Sequence, residues 1–311
     1  MRRGAALIAF GAALLLPLAA CAESAPQKPE PRGPAAPAAP VKFDGARAWT
    51  DLQRQVALGP RPSGTPALTK TRQYILDQLK AAGIRSQEQT FTAATPAGPV
   101  SMTNVIGTIP GRRPERIVLA SHYDTKRAPF RFVGANDGAA STAAVLELGR
   151  ALVRSQPAFT IELLFLDGEE AVNWEWAGTD NTYGSRYYVQ TAQKAGTLGS
   201  IKALVLLDMI GDRDLLIRRE SYSTPWLVDA VWGAAARSGH GGTFIPELTT
   251  VEDDHVNFVR AGVPAVDVID LDNPTWHTAQ DDLAHVSQKS LQIVGDVILA
   301  ALPAIEQRLT R

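Results

Sequence analysis

The chain has 311 residues, a formal net charge of −1, 45% hydrophobic side chains and a single cysteine. The near-neutral balance, with no basic stripe, leaves no electrostatic footprint for nucleic acid, and one cysteine excludes an intramolecular disulfide. No internal repeat is present, and the bulk of the chain has the length of one large α/β domain.

Arg2 and Arg3 precede an apolar run over residues 5–20 that is too short for a membrane span. The run ends in Leu18-Ala19-Ala20-Cys21, which resembles a bacterial lipobox. Residues 1–20 are therefore expected to be a lipoprotein signal peptide and Cys21 the lipid attachment point. The alternative, an ordinary signal peptide, would make the cysteine a coincidence. The expected product is an exported bacterial lipoprotein, membrane-anchored and facing the periplasm or cell exterior. Prolines at 26, 29, 31, 34, 37 and 40 mark residues 21–42 as an extended linker. Residues 43–311 remain for a catalytic domain.

Helical spacing runs from Phe43 to Gly59 and again over residues 66–82, with Gly83 as a stop. A polar strand is predicted near Gln87–Thr92 and a second over Asn104–Ile109. Short apolar runs then alternate with helical segments: a strand at Arg116–Ser121, a helix at Gly138–Val153, a strand at Ile161–Leu166, a helix at Tyr183–Ala195 and a strand at Ala203–Leu207. A helix over residues 224–238, a strand at Ala265–Ile269 and a helix over residues 287–309 complete the pattern. Trp226 and Trp232 share one helix and are expected in the core. Buried strands alternating with helices indicate a single-domain α/β fold, with a mostly parallel central sheet flanked by helices. In such sheets the site lies beyond the carboxyl ends of the strands.

The carboxyl end of each core strand is chemically loaded. His122-Tyr123-Asp124 stands after the first core strand, Asp167-Gly168-Glu169-Glu170 after the second and Asp208 after the third. Gly134-Ala135-Asn136-Asp137-Gly138 opens a helix, and Asp253-Asp254-His255 and Trp276-His277-Thr278 come later. Singly, an aspartate after a strand is more often a cap or turn residue. Together, carboxylates converging on one rim would repel unless a cation or shared protons held them. Oxygen and nitrogen donors without a thiol suit a catalytic zinc. Two adjacent glutamates leaving a strand are expected to point apart, so that Glu170 can hold the metal while Glu169 faces substrate. His240 and His285 read as loop or exposed residues, and His255 as either a support of the carboxylates or a packing residue.

These motifs, with Phe132-Val133-Gly134-Ala135-Asn136-Asp137 and Leu206-Leu207-Asp208, resemble in order the zinc aminopeptidase superfamily, and within it the animal-type glutaminyl-peptide cyclotransferases (glutaminyl cyclases). The resemblance runs from about residue 45 to the end. It implies a zinc-exopeptidase-like, phosphorylase/hydrolase-like three-layer sandwich. It also implies zinc held by Asp137, Glu170 and His277, Glu169 as the proton shuttle, Asp208 and Asp253 as a carboxylate network, and Trp176 and Trp276 as pocket walls. Two departures stand out: Leu271-Asp272-Asn273-Pro274 supplies no phenylalanine before the Trp-His pair, and an insertion makes Trp174 compete with Trp176.

The expected reaction is cyclisation of an amino-terminal glutamine of a peptide or protein to pyroglutamate, with release of ammonia and one zinc per chain. The alternative is an aminopeptidase with two metals about 3.5–4 Å apart, the second held by His122 and Asp208 with Asp137 bridging. A remote third class is a non-catalytic peptide-binding relative, which should have lost Glu169 or a ligand. Asp253 favours cyclisation, because a carboxylate sharing a proton with Asp208 makes a poor second metal site.

Overall fold

The computed structural model describes Met1 and residues 41–311, and residues 41–311 lie within one compact unit. The signal peptide, Cys21 and the linker up to residue 40 lie outside the described residues.

In chain order the elements are α1 (Gly45–Ala57), α2 (Pro66–Ala81), β1 (Arg85–Thr95), β2 (Gly98–Ile109), β3 (Arg113–His122), α3 (Ser141–Leu152), β4 (Phe159–Leu166) and α4 (Tyr183–Lys194). They continue with β5 (Ile201–Asp208), β6 (Ile217–Glu220), α5 (Pro225–Arg237), β7 (Phe244–Thr249), α6 (Asp254–Arg260), β8 (Ala265–Ile269) and α7 (Gln288–Leu309). Side-chain caps set several starts: Asp44 accepts from Arg47 N, Thr65 from Leu68 N before a proline at the first turn, and Ser287 from Ser290 N.

The main sheet has strand order β1-β2-β4-β3-β5-β8. β4, β3, β5 and β8 are parallel, with Leu163, Leu119 and Val205 in register and Val205 paired with Val266. The β1–β2 hairpin extends the sheet antiparallel through β4, so the sheet is mixed with a parallel half. Alternation along each strand feeds two cores. Ile117, Leu119, Val205 and Val266 pack with α1, α2, α3, α5 and α7, whereas Val118, Ala120, Leu164 and Leu206 pack with residues of α4 and α6. This is the expected three-layer arrangement. α7 is long and apolar enough to cross a membrane by length and composition, but it lays Leu291, Val294 and Ile298 into the first core. Trp232 is buried there too, and Trp226 packs against it.

From β3 the chain passes through α3 to β4 on one side, then through α4 back across to β5 on the other. β3 and β5 therefore flank the point where strand order reverses, the position that opens a crevice in such sheets. Three short elements carry no sequence signal of their own: β6, its parallel partner β7, and the seven-residue α6. α3 also begins at Ser141, three residues later than expected. Gly138 sits at φ 88° inside the irregular turn Ala135–Ala140, which regular helix cannot accommodate.

Candidate active site

The reversal point places the last residue of β3 against the last residue of β5. His122 Nε2 lies 3.0 Å from Asp208 Oδ1, and both residues are buried. The same nitrogen is 3.2 Å from Asp137 Oδ1, while the other Asp137 oxygen is 3.4 Å from His277 Nε2. One carboxylate thus lies between two imidazoles. Glu170 Oε1 completes the second group at 3.3 Å from His277 Nε2. Two donor triads result, His122–Asp137–Asp208 and Asp137–Glu170–His277, each with its donor atoms within 4.8 Å of one another.

Local backbone explains how these side chains arrive. Asp137 comes from the turn before α3, held by Asp281, whose carboxylate accepts Asn136 N at 2.6 Å and Asp137 N at 3.0 Å. His277 lies in the loop after β8 at φ 51°. Its ring stacks on Trp276 with centroids 4.4 Å apart, with Phe132 and Trp174 each at 5.9 Å. The tandem glutamates do point apart, but strand alternation is not the cause. β4 ends at Leu166, Gly168 turns the chain at φ 72°, and Asp124 accepts both Glu169 N and Glu170 N at 3.2 and 3.3 Å. Glu169 then faces His122 Nδ1 at 3.7 Å, and Glu170 faces His277 and the buried Lys126, 3.6 Å away.

Asp253 caps α6, its carboxylate accepting the N–H of Asp254. With Asp208 it lines the cavity beside Glu169. His255 is fully buried, bonded through Nε2 to Glu220 at 2.9 Å and 3.6 Å from Asp267, so it is an interior residue behind the carboxylates. His285 pairs with Asp282 near the surface, and His240 belongs to the turn after α5.

Crowding of acids at this edge moves their protons. Burial, the largest influence, pushes the Glu169 carboxyl well above its ordinary range; His122 opposes this, and Glu170, Asp253 and Asp254 reinforce it. Burial and then Asp137 raise Glu170 to about 6, and burial and then Asp208 raise Asp253 to about 6. Asp137 moves the other way: burial disfavours its charge, but the two imidazoles outweigh that and hold its carboxyl well below the usual range. Glu170 Oε2 is buried without a hydrogen-bond partner. With only the Lys126 ammonium near it, at 3.6 Å and beyond hydrogen-bond reach, this oxygen in an all-oxygen-and-nitrogen donor set fits a divalent cation of the zinc type at Asp137, Glu170 and His277.

The cavity in front of these groups encloses about 550 Å³. Trp174, Trp176, Trp276 and Leu271 wall it, so both competing tryptophans contribute, and Trp174 is the one whose ring approaches His277. Residues 271–274 supply no phenylalanine, but Phe130, from the loop after β3, meets the edge of Trp174 with centroids 6.1 Å apart. The base of the tryptophan loop is pinned by Asp180, which accepts Val172 N, Asn173 N and the Tyr183 hydroxyl at 3.0, 2.9 and 2.7 Å.

Carboxylates and imidazoles at the carboxyl edge of a parallel sheet, closed over by tryptophans, define an exopeptidase-like α/β enzyme. Residues 104–302 match the model of peptidase family M28. A glutaminyl-peptide cyclotransferase-like protein from Bos taurus is 30% identical over 298 residues, covering 84% of this chain and 76% of the relative. A crystal structure of an Acidobacteriales bacterium glutaminyl cyclase superposes with TM-score 0.83 at 41% identity, covering 90% of this chain and all of that one. A leucine aminopeptidase precursor from Bacteroides thetaiotaomicron gives TM-score 0.78 at 29% identity, over 84% of this chain and 97% of the other. The chain belongs to peptidase family M28, and within it is an enzyme of the glutaminyl-peptide cyclotransferase type.

Proposed function

We propose that the enzyme converts the amino-terminal glutamine of peptides to pyroglutamate and releases ammonia, using zinc at Asp137, Glu170 and His277. When bound there, zinc supplies Lewis-acid polarisation of the glutamine side-chain amide. The chain's own residues do the rest. Glu169, at the cavity and 3.7 Å from His122 Nδ1, takes a proton as the α-amine attacks the side-chain carbonyl carbon. A new carbon–nitrogen bond forms, the bond to the side-chain nitrogen breaks, and Glu169 returns the proton so that ammonia departs. Asp253 lines the cavity with Asp208 beside Glu169, and its charge bears on the Glu169 carboxyl through space. Trp174, Trp176 and Trp276 limit the water that would compete as nucleophile.

The observation that carries this reading is Asp253. Buried at the cavity beside Asp208 and Glu169, it adds an acid that the Asp137–Glu170–His277 donor set does not use. The aminopeptidase reading is favoured by one feature, the His122–Asp137–Asp208 triad, which has the makings of a second metal site. Nothing favours a non-catalytic relative, since Glu169 and every donor are in place. Assaying Gln-β-naphthylamide and Leu-β-naphthylamide side by side tests the assignment. Cyclisation of the first without hydrolysis of the second is the expected result, and release of leucine would overturn it. For the whole protein, we propose anchoring to a bacterial membrane through lipid on Cys21, with peptide or protein amino termini as substrates.

A further inference from the structure

Arg61 lies in the turn between α1 and α2, next to prolines at 60 and 62, where the sequence reads simply as a turn. Its side chain is fully buried, and among the described residues no carboxylate pairs with it within ion-pair distance. The guanidinium instead donates to three backbone carbonyls: Val133 O at 2.6 Å, Gly134 O at 3.0 Å and Gly59 O at 3.2 Å. Burying a cation without a paired anion is costly. Burial lowers its pKa to about 10, against the pull of Asp281, Asp137 and Asp124, so it stays charged at neutral pH. The backbone of Arg61 is itself fixed, its N–H donating to Thr125 Oγ1 at 2.8 Å and its carbonyl accepting from Thr125 N at 3.2 Å.

The carbonyls it holds open the segment that delivers Asp137, and Asp281 holds the rest. The Asp281 carbonyl accepts Ala135 N at 3.3 Å and its carboxylate accepts Asn136 N and Asp137 N. Residues 133 to 137 are therefore gripped by a guanidinium on their carbonyls and then by the Asp281 side chain on their amides. The segment has no slack. A Cβ at Gly134 would stand 2.3 Å from Asp137 O, and one at Gly138 would stand 2.7 Å from Asp124 O.

We propose that Arg61 is a positioning residue which, opposite Asp281, sets the Asp137 carboxylate between His122 and His277 and so fixes the affinity of the metal site. The proposal rests on the reading of Asp137 as a zinc ligand. Arg61 touches neither substrate nor metal; it acts through the backbone of residues 133–134.

The test is the zinc dissociation constant of the full-length protein, measured by competition with a chelator. Arg61→Met keeps the volume and removes the donors. Its affinity should fall about 10- to 100-fold, the usual effect of losing a group that orients a ligand. Arg61→Lys keeps the charge but lacks the planar fork that spans two carbonyls, and should recover part of the loss. Leu302→Ala, in the core face of α7, serves as a control that loses stability but keeps zinc affinity. A folded Arg61→Met protein that binds zinc as tightly as wild type overturns the proposal. If Arg61→Met does not fold, Arg61→Lys decides, and wild-type affinity there overturns it equally. Wild-type protein that takes up no zinc would instead overturn the metal reading, which keeps the two failures distinct.

Discussion

His122 Nε2 stands 3.0 Å from Asp208 Oδ1, each the last residue of its strand, at the place where the strand order reverses. This contact is where the two enzymatic readings part. The pair can help hold a second ion, or it can stand with Asp253 in the carboxylate group beside Glu169.

Metal analysis separates the two. The expected stoichiometry is one zinc per chain, with activity lost on chelation and restored by zinc. Asp253→Ala should remove an acid beside Asp208, raise zinc uptake at high zinc and abolish cyclisation. Two tightly held zincs in the wild type, together with hydrolysis of Leu-initiated peptides, would establish the aminopeptidase.

Glu169→Gln keeps the shape of the side chain and removes the proton acceptor. Zinc content should be unchanged and turnover should fall by at least about 10²-fold. Loss of zinc in this variant, measured by elemental analysis, would mean that Glu169 and Glu170 have exchanged roles.

Acid stability should depend on Glu220. Burial opposes its charge, but the hydrogen bond from His255 and the N–H of Tyr222 outweigh burial and bring its carboxyl down from 4.5 to about 2. A depressed folded-state value means that Glu220 contributes stability above its ordinary value and loses it as pH falls from 4.5 towards 2. Glu220→Gln should lower the melting temperature at pH 7 and flatten its decline across that window. Parallel melting curves for the two proteins from pH 5 to pH 2 would remove Glu220 from the account.

The anchor is tested by Cys21→Ser. The variant should move from the membrane to the soluble fraction and keep its catalysis, because the metal donors and the cavity walls come from residues 122–277. Retention in the membrane fraction would rule out the lipobox.

The parallel half of the sheet was legible because residues 116–121, 161–166, 203–207 and 265–269 are short apolar runs bounded by polar residues, the signature of strands covered on both faces. β6 and β7 carried no such signal. Ile217–Glu220 is mostly charged, Phe244–Thr249 is half exposed, and each is stabilised by its partner rather than by its own pattern. α6 is too short for periodicity to register. At the site, the resemblance to the cyclotransferases singled out Asp137, Glu170 and His277, and the fold brings the three together. Arg61, Asp281 and the double grip of Asp124 could not be read from the sequence, since their work is done on backbone amides and carbonyls, which leave no trace in residue spacing. Asp124 stood in the His-Tyr-Asp motif, and its place there was the only hint. The edge contact of Phe130, from the loop after β3, with Trp174 is likewise visible only in three dimensions.

The pinning of the tryptophan loop by Asp180 has an evolutionary consequence. Asp180 joins Val172, Asn173 and Tyr183 at the loop's root, so the stretch carrying Trp174 and Trp176 leaves and rejoins the scaffold at a fixed gate. Insertions beyond that gate can lengthen or reshape the wall without disturbing Glu169, Glu170 or the start of α4. Related enzymes can thus diversify in which chain ends they accept while inheriting an unchanged reaction centre, and the segment between 172 and 180 is the natural place to graft a new preference.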